Sequence, residues 1–419
     1  MLASVYLLAL PDAYAIEADD GLSVVLEATD RHHPVIKQRV QEYYIQREGL
    51  AATHAAYLPS LSVEGRLLAT DRDAVLQTGE DFDEDTTQKS AAVSLQQVLY
   101  NGGRRGLERH IAMLRLRIAR QDLEVTRREV LRQTVQELYG LAAARETLIL
   151  RNQLAELLSE QVAAATAREK VGDATQTDIT IAESRLQLAR AAIAETEFQL
   201  VVFLEALMSS SGLDPSFLRM PLEGYVSVVP DEDTLERSIG KDPRVIGATL
   251  QTAVADAEHK LAARTNAPVL GLAATASTAQ EVSPAIDESD ELSVGLTLNI
   301  PLYRGGLGAS EQRRAAATSR ATMFAEREAR RQTELDLKRL YAERNAARAA
   351  LQAAERRSVA AATAEEGFLA GQKAGFYSTV DTLDAIEDRV EADIARVQAL
   401  AQLASVQARL MIALGKEFK

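Results

Sequence analysis

The chain contains no cysteine and no tryptophan, and its low aromatic content limits what it can be. With no Cys among its 419 residues, disulfide frameworks, thiolate nucleophiles and cysteine-ligated metal sites are excluded. Aromatic residues make up 5% of the chain, and much of the apolar content is alanine, as is typical of long, closely packed helices. Hydrophobic residues at 47% and charged residues at 26% indicate a folded rather than a disordered protein.

Basic residues are outnumbered by acidic ones, 47 Lys and Arg against 61 Asp and Glu, so the formal net charge is −14. A nucleic-acid-binding protein needs a basic surface to meet the phosphates, and this balance argues against nucleic acid as a partner. The length alone would suggest two or three domains of about 150 residues each.

Long hydrophobic runs are also missing. The longest uncharged window, residues 265–280, spans 16 residues rich in Ala, Thr and Ser, whereas a membrane-spanning helix needs about 20 mostly apolar residues. Composition alone therefore favours a soluble helical protein, provided that the chain crosses no membrane by another kind of segment.

The first 15 residues have features of an export signal. Residues 2–10 form a short apolar core, and a small-x-small site of the kind that signal peptidase cleaves ends at Ala15. The positively charged n-region is missing, and the alternative is a buried N-terminal helix, into which Pro11 fits poorly. We predict that residues 1–15 are a signal peptide and that the mature chain is exported.

The rest of the chain contains one pattern twice. A period of about 200 residues is too long for a solenoid unit and indicates a tandem duplication of one large module. The offset falls once, between residues 63 and 99, so the first copy carries six extra residues there. Four segments of the first copy recur in the second. Pro34 recurs as Pro243 and Pro59 as Pro268, 209 positions later, whereas 99–103 recurs as 302–306 and 172–178 as 375–381, 203 positions later.

Each copy is predicted to contain a helix, two strands, a very long helix and a last helix. Residues 104–170 and 304–372 have coiled-coil-like spacing, and 67 residues of helix extend about 100 Å. The two shorter helical segments of each copy together match that length, so they could lie end to end beside it. The predicted divisions are a first repeat (16–208), a linker (209–230), a second repeat (231–414) and a tail (415–419), with the shorter helices at 21–55, 178–210, 231–265 and 381–414.

Four short segments alternate between apolar and small polar residues. Leu292, Val294 and Leu296 alternate with Ser293 and Gly295, and a period of two over about ten residues is typical of a strand. An apolar face opposite a small polar face matches a membrane-barrel strand. A sandwich strand would alternate too, but the rest of the chain has no further strand pattern. The predicted strands are about 60–70, 89–99, 268–278 and 291–301.

This arrangement resembles the TolC family of outer-membrane efflux and secretion channels. The segments that carry the resemblance are the two post-strand turns, 99–103 and 300–306, and the two helical turns, 171–178 and 375–385. The resemblance implies a mainly α fold with a small β part, in which three chains form a twelve-stranded barrel joined to a periplasmic α-helical barrel. Independently, four strands leave open edges that lipid cannot satisfy, so other subunits must complete the sheet.

The resemblance also implies which residues line the channel entrance. Asp381 and Asp384 match the paired acidic positions that form two stacked rings in TolC, and such rings favour cations. The alternative is that Asp381 is an acid stabilised by the helix dipole and Asp384 a solvated surface residue. The other implied positions are Gly172, Thr175, Thr177, Asp178, Gly375, Tyr377 and Ser378 at the periplasmic tip, and Tyr100, Gly102, Gly103, Tyr303, Gly305 and Gly306 after the strands.

One tip position departs from the family pattern. TolC has an Arg two residues after the second turn glycine, where this chain has Tyr377, so the contacts that close the tip would be built differently. In TolC the positions matching Thr177 and Asp178 help to hold the tip shut. The basic residues near the turns are Arg168, Lys170 and Lys373. Thr175 and Ser378 are predicted helix N-caps.

Acidic residues are concentrated in the segment 71–88 and between the other two strands, at 281–291. They could bind divalent ions beside lipopolysaccharide, or simply form solvated polar loops. The histidines are scattered, and we predict no metal site, no cofactor and no enzymatic activity.

The predicted function is the exit duct of a tripartite export system in the outer membrane, serving type I protein secretion, multidrug efflux or both. Its partners would be outer-membrane lipid, a periplasmic adaptor that contacts the tip, and an inner-membrane transporter that supplies the energy. The lack of Cys argues against the lipid-anchored branch of the family and, with the two aspartates, favours protein secretion. The alternative is a periplasmic coiled-coil adaptor or scaffold without channel activity.

Overall fold

The computed structural model describes residues 21–75, 81–215, 232–283 and 286–415. The predicted signal peptide and most of the predicted linker lie outside the described residues. In the described part the order helix, helix, strand, strand, long helix, helix occurs twice. The elements are α1 (Gly21–His32), α2 (Pro34–Ala55), β1 (Ser60–Val75), β2 (Asp81–Tyr100), α3 (Arg104–Lys170), α4 (Gln176–Ser211), α5 (Glu232–Ile239), α6 (Pro243–Ala262), β3 (Val269–Ser283), β4 (Ile286–Asn299), α7 (Leu307–Lys373) and α8 (Thr379–Ala413).

The two long helices contain 67 residues each and no proline; α3 has the predicted bounds, whereas α7 begins at Leu307 instead of residue 304 and ends at Lys373 instead of residue 372. Proline instead marks the points where the predicted segments 21–55 and 231–265 are broken into two helices. Pro34 begins α2 and Pro243 begins α6, because proline has no N–H to donate and suits only the first turn of a helix. None of the described helices is long and apolar enough to span a membrane.

The strands form one antiparallel sheet in the order β1-β2-β3-β4. They are longer than predicted, because β1 continues to Val75 and β2 begins at Asp81. Most of the segment 71–88, expected to be a loop, is therefore paired strand, with Asp71 opposite Asp85 and Asp73 opposite Asp83. β4 likewise begins at Ile286. Backbone pairing extends the hairpins beyond the apolar alternation from which the strands were predicted.

The register confirms the two predicted faces of the sheet. In one row Val63 lies opposite Val93, which is opposite Ala276, itself opposite Leu292. Paired residues project to the same face, so this face is apolar. The next row, on the other face, is small and polar: Ser62, Ser94, Thr275 and Ser293.

The apolar face of the sheet is uncovered in the single chain. Val63 is 76% exposed and Leu292 is 80% exposed. On β4 the apolar positions continue to Leu298, a rise of about 20 Å at ~3.4 Å per residue. That is close to the apolar band of an outer-membrane barrel, which is about 25 Å tall.

The chain forms two compact units, and each takes residues from both halves. The first consists of Met1–Val40, Leu123–Pro243 and Arg330–Lys419, and the second of Gln41–Asp122 and Arg244–Ala329. The second unit contains the sheet. The first unit has one apolar core in which α1, α3, α4 and α8 meet, around Leu22, Leu138 and Leu207, and another in which α3, α4 and α8 meet, around Leu158 and Leu383.

Candidate functional site: two matching helical turns

The first helical turn, residues 171–175, reverses the chain between α3 and α4. Gly172 adopts a left-handed conformation with φ of 86°. Its N–H donates to the carbonyl of Glu169 at 3.0 Å, and the N–H of Asp173 donates to the carbonyl of Arg168 at 2.9 Å. This pair of bonds is a Schellman motif, which ends a helix by satisfying its last carbonyls and favours glycine at the left-handed position.

The second helical turn, residues 374–378, has the same geometry between α7 and α8. Gly375 has φ of 78°. Its N–H donates to the carbonyl of Gln372 at 3.0 Å, and the N–H of Phe376 donates to the carbonyl of Gly371 at 2.8 Å. The two turns that the sequence paired by spacing are thus built by the same backbone bonds.

Both turns lead into a reciprocal capping box. The backbone N–H of Asp178 donates to Thr175 Oγ1 at 3.2 Å, and the N–H and Oγ1 of Thr175 both donate to Asp178 Oδ2 at 2.8 Å. In the second turn, Asp381 N–H donates to Ser378 Oγ at 3.2 Å, while the N–H and Oγ of Ser378 donate to Asp381 Oδ2 at 3.0 and 2.7 Å. The prediction that Thr175 and Ser378 are N-caps is confirmed. Thr177, beside the first box, is exposed.

The capping bonds also affect the charge of the two aspartates. Hydrogen bonds from Ser378 hold the pKa of Asp381 below its ordinary value. Backbone and side-chain bonds from Thr175 likewise lower the pKa of Asp178, helped by the charge of Arg168. A carboxylate with a depressed pKa in the folded state contributes stability above its unfolded pKa and loses it as pH falls through the folded value. Both carboxylates therefore stay ionised at pH values where an ordinary aspartate begins to protonate.

An arginine that the sequence reasoning missed joins α4 to α8. Arg185 is paired with Asp384 at 2.6 Å and with Glu387 at 2.6 Å. The Arg185 side chain is 21% exposed, whereas that of Asp384 is 57% exposed. We call these three side chains the Arg185 clasp. Arg185 lies seven residues after Asp178, two helical turns along the same face, but no local pattern in the sequence links it to Asp384.

Burial changes the proton affinity of one acid in the clasp. Desolvation raises the pKa of Glu387, and the neighbouring charges of Asp384 and Asp388 raise it further, against the opposing effect of Arg185. Desolvation disfavours the charged form of a carboxyl group. Arg185 therefore faces one exposed carboxylate, Asp384, and one that protonates more readily than an ordinary glutamate.

Tyr377, where TolC has an arginine, packs inside the second turn. Its ring lies 4.5 Å from that of Phe368, measured between centroids. A Cβ added at Gly371 would lie 2.4 Å from Tyr377 Cδ2, so the ring occupies space that only glycine leaves open. This turn is held by aromatic packing, and Arg185 is a cation that bridges α4 and α8. Lys170 and Lys373 are both exposed.

A partly buried ion pair joins α7 to α8 next to the clasp. Arg389 Nη1 lies 2.9 Å from Glu365 Oε2, and its Nε lies 3.5 Å from Asp393 Oδ2. The hydrogen bond to Glu365, a residue only 7% exposed, is the main reason that the pKa of Arg389 is raised. Asp393 also accepts a hydrogen bond from Ser358 of α7. α8 is thus tied to α4 on one side and to α7 on another.

The post-strand turns lie in the second unit and differ in their surroundings. Gly102 and Gly305 both have positive φ, 67° and 60°. A Cβ added at Gly102 would lie 2.1 Å from the Cβ of Ala267, whereas one added at Gly305 would meet nothing within 4 Å. Arg264 donates a hydrogen bond to the Gly102 carbonyl. The companion glycines Gly103 and Gly306 also have positive φ, and Tyr100 and Tyr303 are both exposed.

The described residues hold no cluster of His, Asp and Glu suited to a metal ion.

The comparison with protein families bears directly on this set of turns. A family model described as outer membrane efflux protein matches residues 28–213 and 234–416, which include both helical turns and both post-strand turns. The chain belongs to the outer membrane efflux protein family. The resemblance to TolC-like channels is thereby confirmed, and this family consists of outer-membrane efflux channels, not of enzymes.

Individual relatives agree with the family. The chain is 26% identical over 394 residues to the outer membrane efflux protein BepC of Brucella suis, covering 89% of this chain and 80% of that protein. It is 27% identical over 410 residues to protein CyaE of Bordetella pertussis, covering 94% and 84%. The fold is similar to that of the Campylobacter jejuni CmeC outer membrane channel, with a TM-score of 0.81 at 15% identity, covering 99% of this chain and 91% of CmeC.

The raised pKa of Glu387 leads to a prediction on pH dependence. As pH falls, the folded state takes up this proton before the unfolded state does, so protonation of Glu387 favours folding while it weakens the pair with Arg185. We expect Glu387→Gln to be as stable as the parent protein at neutral pH, or more stable, and to lose part of the pH dependence between about pH 7 and pH 4.5. Thermal unfolding midpoints measured across that range test this.

The matched control is Glu391→Gln, one helical turn along α8, where the carboxylate lies 3.7 Å from Arg151. If Glu387→Gln is markedly less stable at neutral pH while Glu391→Gln is not, the charge of Glu387 stabilises the fold and the expected sign is wrong.

Proposed function

We propose that the chain is one of three subunits of an outer-membrane exit duct, a passive conduit whose energy comes from partners. The observation that carries the proposal is the sheet: one face is apolar and uncovered, and the other is lined by small polar side chains. An apolar outside and a polar inside are what a water-filled barrel in lipid requires. The clearest examples are the row that contains Val63 on the apolar face and the row that contains Ser62 on the polar face.

The edges of the sheet support the assembly. Within the described residues β1 and β4 each pair with one strand only, and they are 16 and 14 residues long. Unpaired backbone groups cannot face lipid, so the β4 edge of one copy would pair with the β1 edge of the next. Three copies would supply twelve strands, enough to close a barrel with an aqueous interior.

The helical turns are the proposed periplasmic entrance. In a trimer, Asp381 and Asp384 of each copy would place six carboxylates around the opening, which favours cations. The capping bonds keep Asp381 ionised. Arg185 offsets part of the charge of Asp384, so Asp381 would contribute more of the net negative charge at the entrance.

The family and the relatives support an export role with partners on the inner side. BepC is described as an outer membrane efflux protein. We propose that this chain acts with a periplasmic adaptor, which contacts the two helical turns, and with an inner-membrane transporter. The cargo would be protein exported by a type I system, small drugs, or both. Restoring secretion or drug resistance in a strain that lacks its own exit duct separates these cargoes.

The channel role is tested by conductance in planar lipid bilayers. The purified protein, extracted with detergent, is expected to conduct ions and to be blocked by a trivalent cation added on the periplasmic side. In Asp381→Asn/Asp384→Asn the apparent affinity of the blocking cation should fall by about tenfold or more, equivalent to about 1.4 kcal/mol. A protein that fractionates without detergent and conducts nothing is a scaffold, and the proposal is then wrong.

The control for lost helix capping is Asp178→Asn. It removes the same capping carboxylate from α4 that Asp381→Asn removes from α8. If block weakens equally in Asp178→Asn and in Asp381→Asn, the effect comes from a loosened turn and not from the acidic ring.

A further inference from the structure

Helix α4 has two apolar faces on opposite sides. One is buried in the cores of the first unit. The other is exposed: Leu188 and Phe198 are each 68% exposed, and Val202 is 47% exposed. At 3.6 residues per turn these three side chains fall within an arc of about 80°, opposite the buried stripe. The buried positions are Ile179, Ala182, Leu186, Ala189 and Leu207.

A helix that faces solvent normally has one apolar stripe, and a second one marks a surface that another molecule covers. Glu195 lies within the same exposed arc, between Leu188 and Phe198, and is itself exposed. The partner surface must therefore be able to receive bulky apolar side chains and a carboxylate together.

Helix α7 of the first unit exposes a surface of that kind. Opposite its buried residues, such as Leu337 and Ala347, it presents Ala349, Ala353 and Arg356, all exposed. Alanines leave room for large side chains of a facing helix, and Arg356 offers a cation for a carboxylate. The two faces are complementary in both size and charge.

The contacts inside the first unit show which residues of the two helices lie at the same level. Arg185 of α4 is paired with Asp384 of α8, and Asp393 of α8 bonds to Ser358 of α7. α8 runs parallel to α4 and antiparallel to α7. Counting along the helices from these two contacts places Glu195 level with residue 357 of α7, within one residue of Arg356.

The same count matches the apolar residues. Phe198 is level with residue 354, next to Ala353, and Val202 is level with residue 350, next to Ala349. All three pairs are therefore offset by the same single residue in this count, and because the anchors are side-chain contacts the levels are fixed to within about one helical turn, ~5.4 Å. Copies related by rotation about an axis along the helices keep these levels, so the match also holds between neighbouring copies.

We propose that the exposed face of α4 in one copy packs against the exposed face of α7 in the next copy, with Glu195 paired to Arg356 and Phe198 seated over Ala353. This inference rests on the trimer proposed above and adds which helices meet and in what register. The covering molecule is a second copy of this chain because one chain carries both surfaces. The α4 face has bulky apolar side chains and an acid, and the α7 face has small side chains and a base.

Cysteine cross-linking tests the register directly, since the chain has no cysteine of its own. Under mild oxidation Phe198→Cys/Ala353→Cys is expected to give a covalent trimer in denaturing electrophoresis, because a disulfide forms only where the two Cα atoms lie within about 7 Å. The control pair, Glu197→Cys/Ala353→Cys, moves one cysteine to the side of α4 away from the proposed contact and should remain largely monomeric.

A charge exchange gives a second readout. Glu195→Arg and Arg356→Glu should each lower the fraction of trimer that survives mild detergent by severalfold, and the double variant should restore it, while Arg357→Glu should have little effect. A trimer of the correct mass that never cross-links at 198 and 353 overturns this interface but leaves the duct intact. A protein that forms no trimer at all overturns both the interface and the proposed function.

Discussion

Replacing Arg185 with alanine is expected to shift the proposed entrance toward an open state. Arg185 joins α4 to α8 through two charge-assisted contacts, at 2.6 Å to Asp384 and 2.6 Å to Glu387. Such hydrogen bonds contribute about 1.5–3 kcal/mol each when buried, and partial exposure of the two acids reduces the sum to about 1–2 kcal/mol per copy. A loss of ~1.4 kcal/mol changes an open-to-closed ratio about tenfold.

Two measurements check this outcome. Single-channel conductance in planar bilayers should rise, and trypsin should cleave faster at Lys170 and Lys373, which flank the two helical turns. Arg190→Ala removes the same charge from an exposed position of α4 and should behave as the parent protein. In Arg185→Lys the conductance and the cleavage rate should lie between those of Arg185→Ala and Arg190→Ala, since lysine keeps the charge but not the bidentate geometry. Unchanged conductance and cleavage in Arg185→Ala would show that the clasp does not hold the entrance.

The second large effect is expected at a post-strand turn. Gly102→Ala forces an L-residue into a left-handed conformation, which costs about 1–2 kcal/mol, and also places a Cβ 2.1 Å from that of Ala267. Overpacking of this kind adds about 1–3 kcal/mol, so the total loss is about 2–5 kcal/mol. Gly305 has nearly the same φ but open space around it. Gly305→Ala should therefore lose only the stability that the left-handed conformation costs.

Thermal unfolding of both variants in the same detergent, at one protein concentration, separates the two contributions. The midpoint for Gly102→Ala should be clearly lower than that for Gly305→Ala, and yields of folded protein should follow the same order. Equal midpoints would mean that Ala267 moves aside without loss, and that conformational strain alone accounts for both glycines.

Much of the fold could be predicted from the sequence because its signals are local and periodic. The absence of proline from 104–170 and the alternation at Leu292 and Val294 depend only on neighbouring residues. The hairpin extensions beyond Thr70 were missed for the converse reason: backbone pairing continues there while the side-chain pattern has turned acidic. Pro34 and Pro243 mark the two helix breaks in the sequence, but the predicted helical segments 21–55 and 231–265 run across them.

The candidate site was predictable only in part. Thr175 and Ser378 stand three residues before an aspartate, a local pattern that identifies a capping box from sequence. The partner of Asp384 could not be found in this way, since Arg185 lies 199 positions earlier in the chain. Only the packing of α4 against α8 brings the two together. Likewise, the seat of Tyr377 over Gly371 depends on the shape of the turn.

The pairing of β2 with β3 has a consequence for how the chain folds. The last residue of β2, Tyr100, and the first of β3, Val269, are separated by 168 residues, so the centre of the sheet closes only after the chain has been synthesised through β3, about two thirds of its length. Until then the first hairpin presents an open strand edge and an uncovered apolar face. Such late, non-local closure slows folding and leaves intermediates prone to aggregate. We therefore expect the newly exported chain to need protection before its sheet is complete.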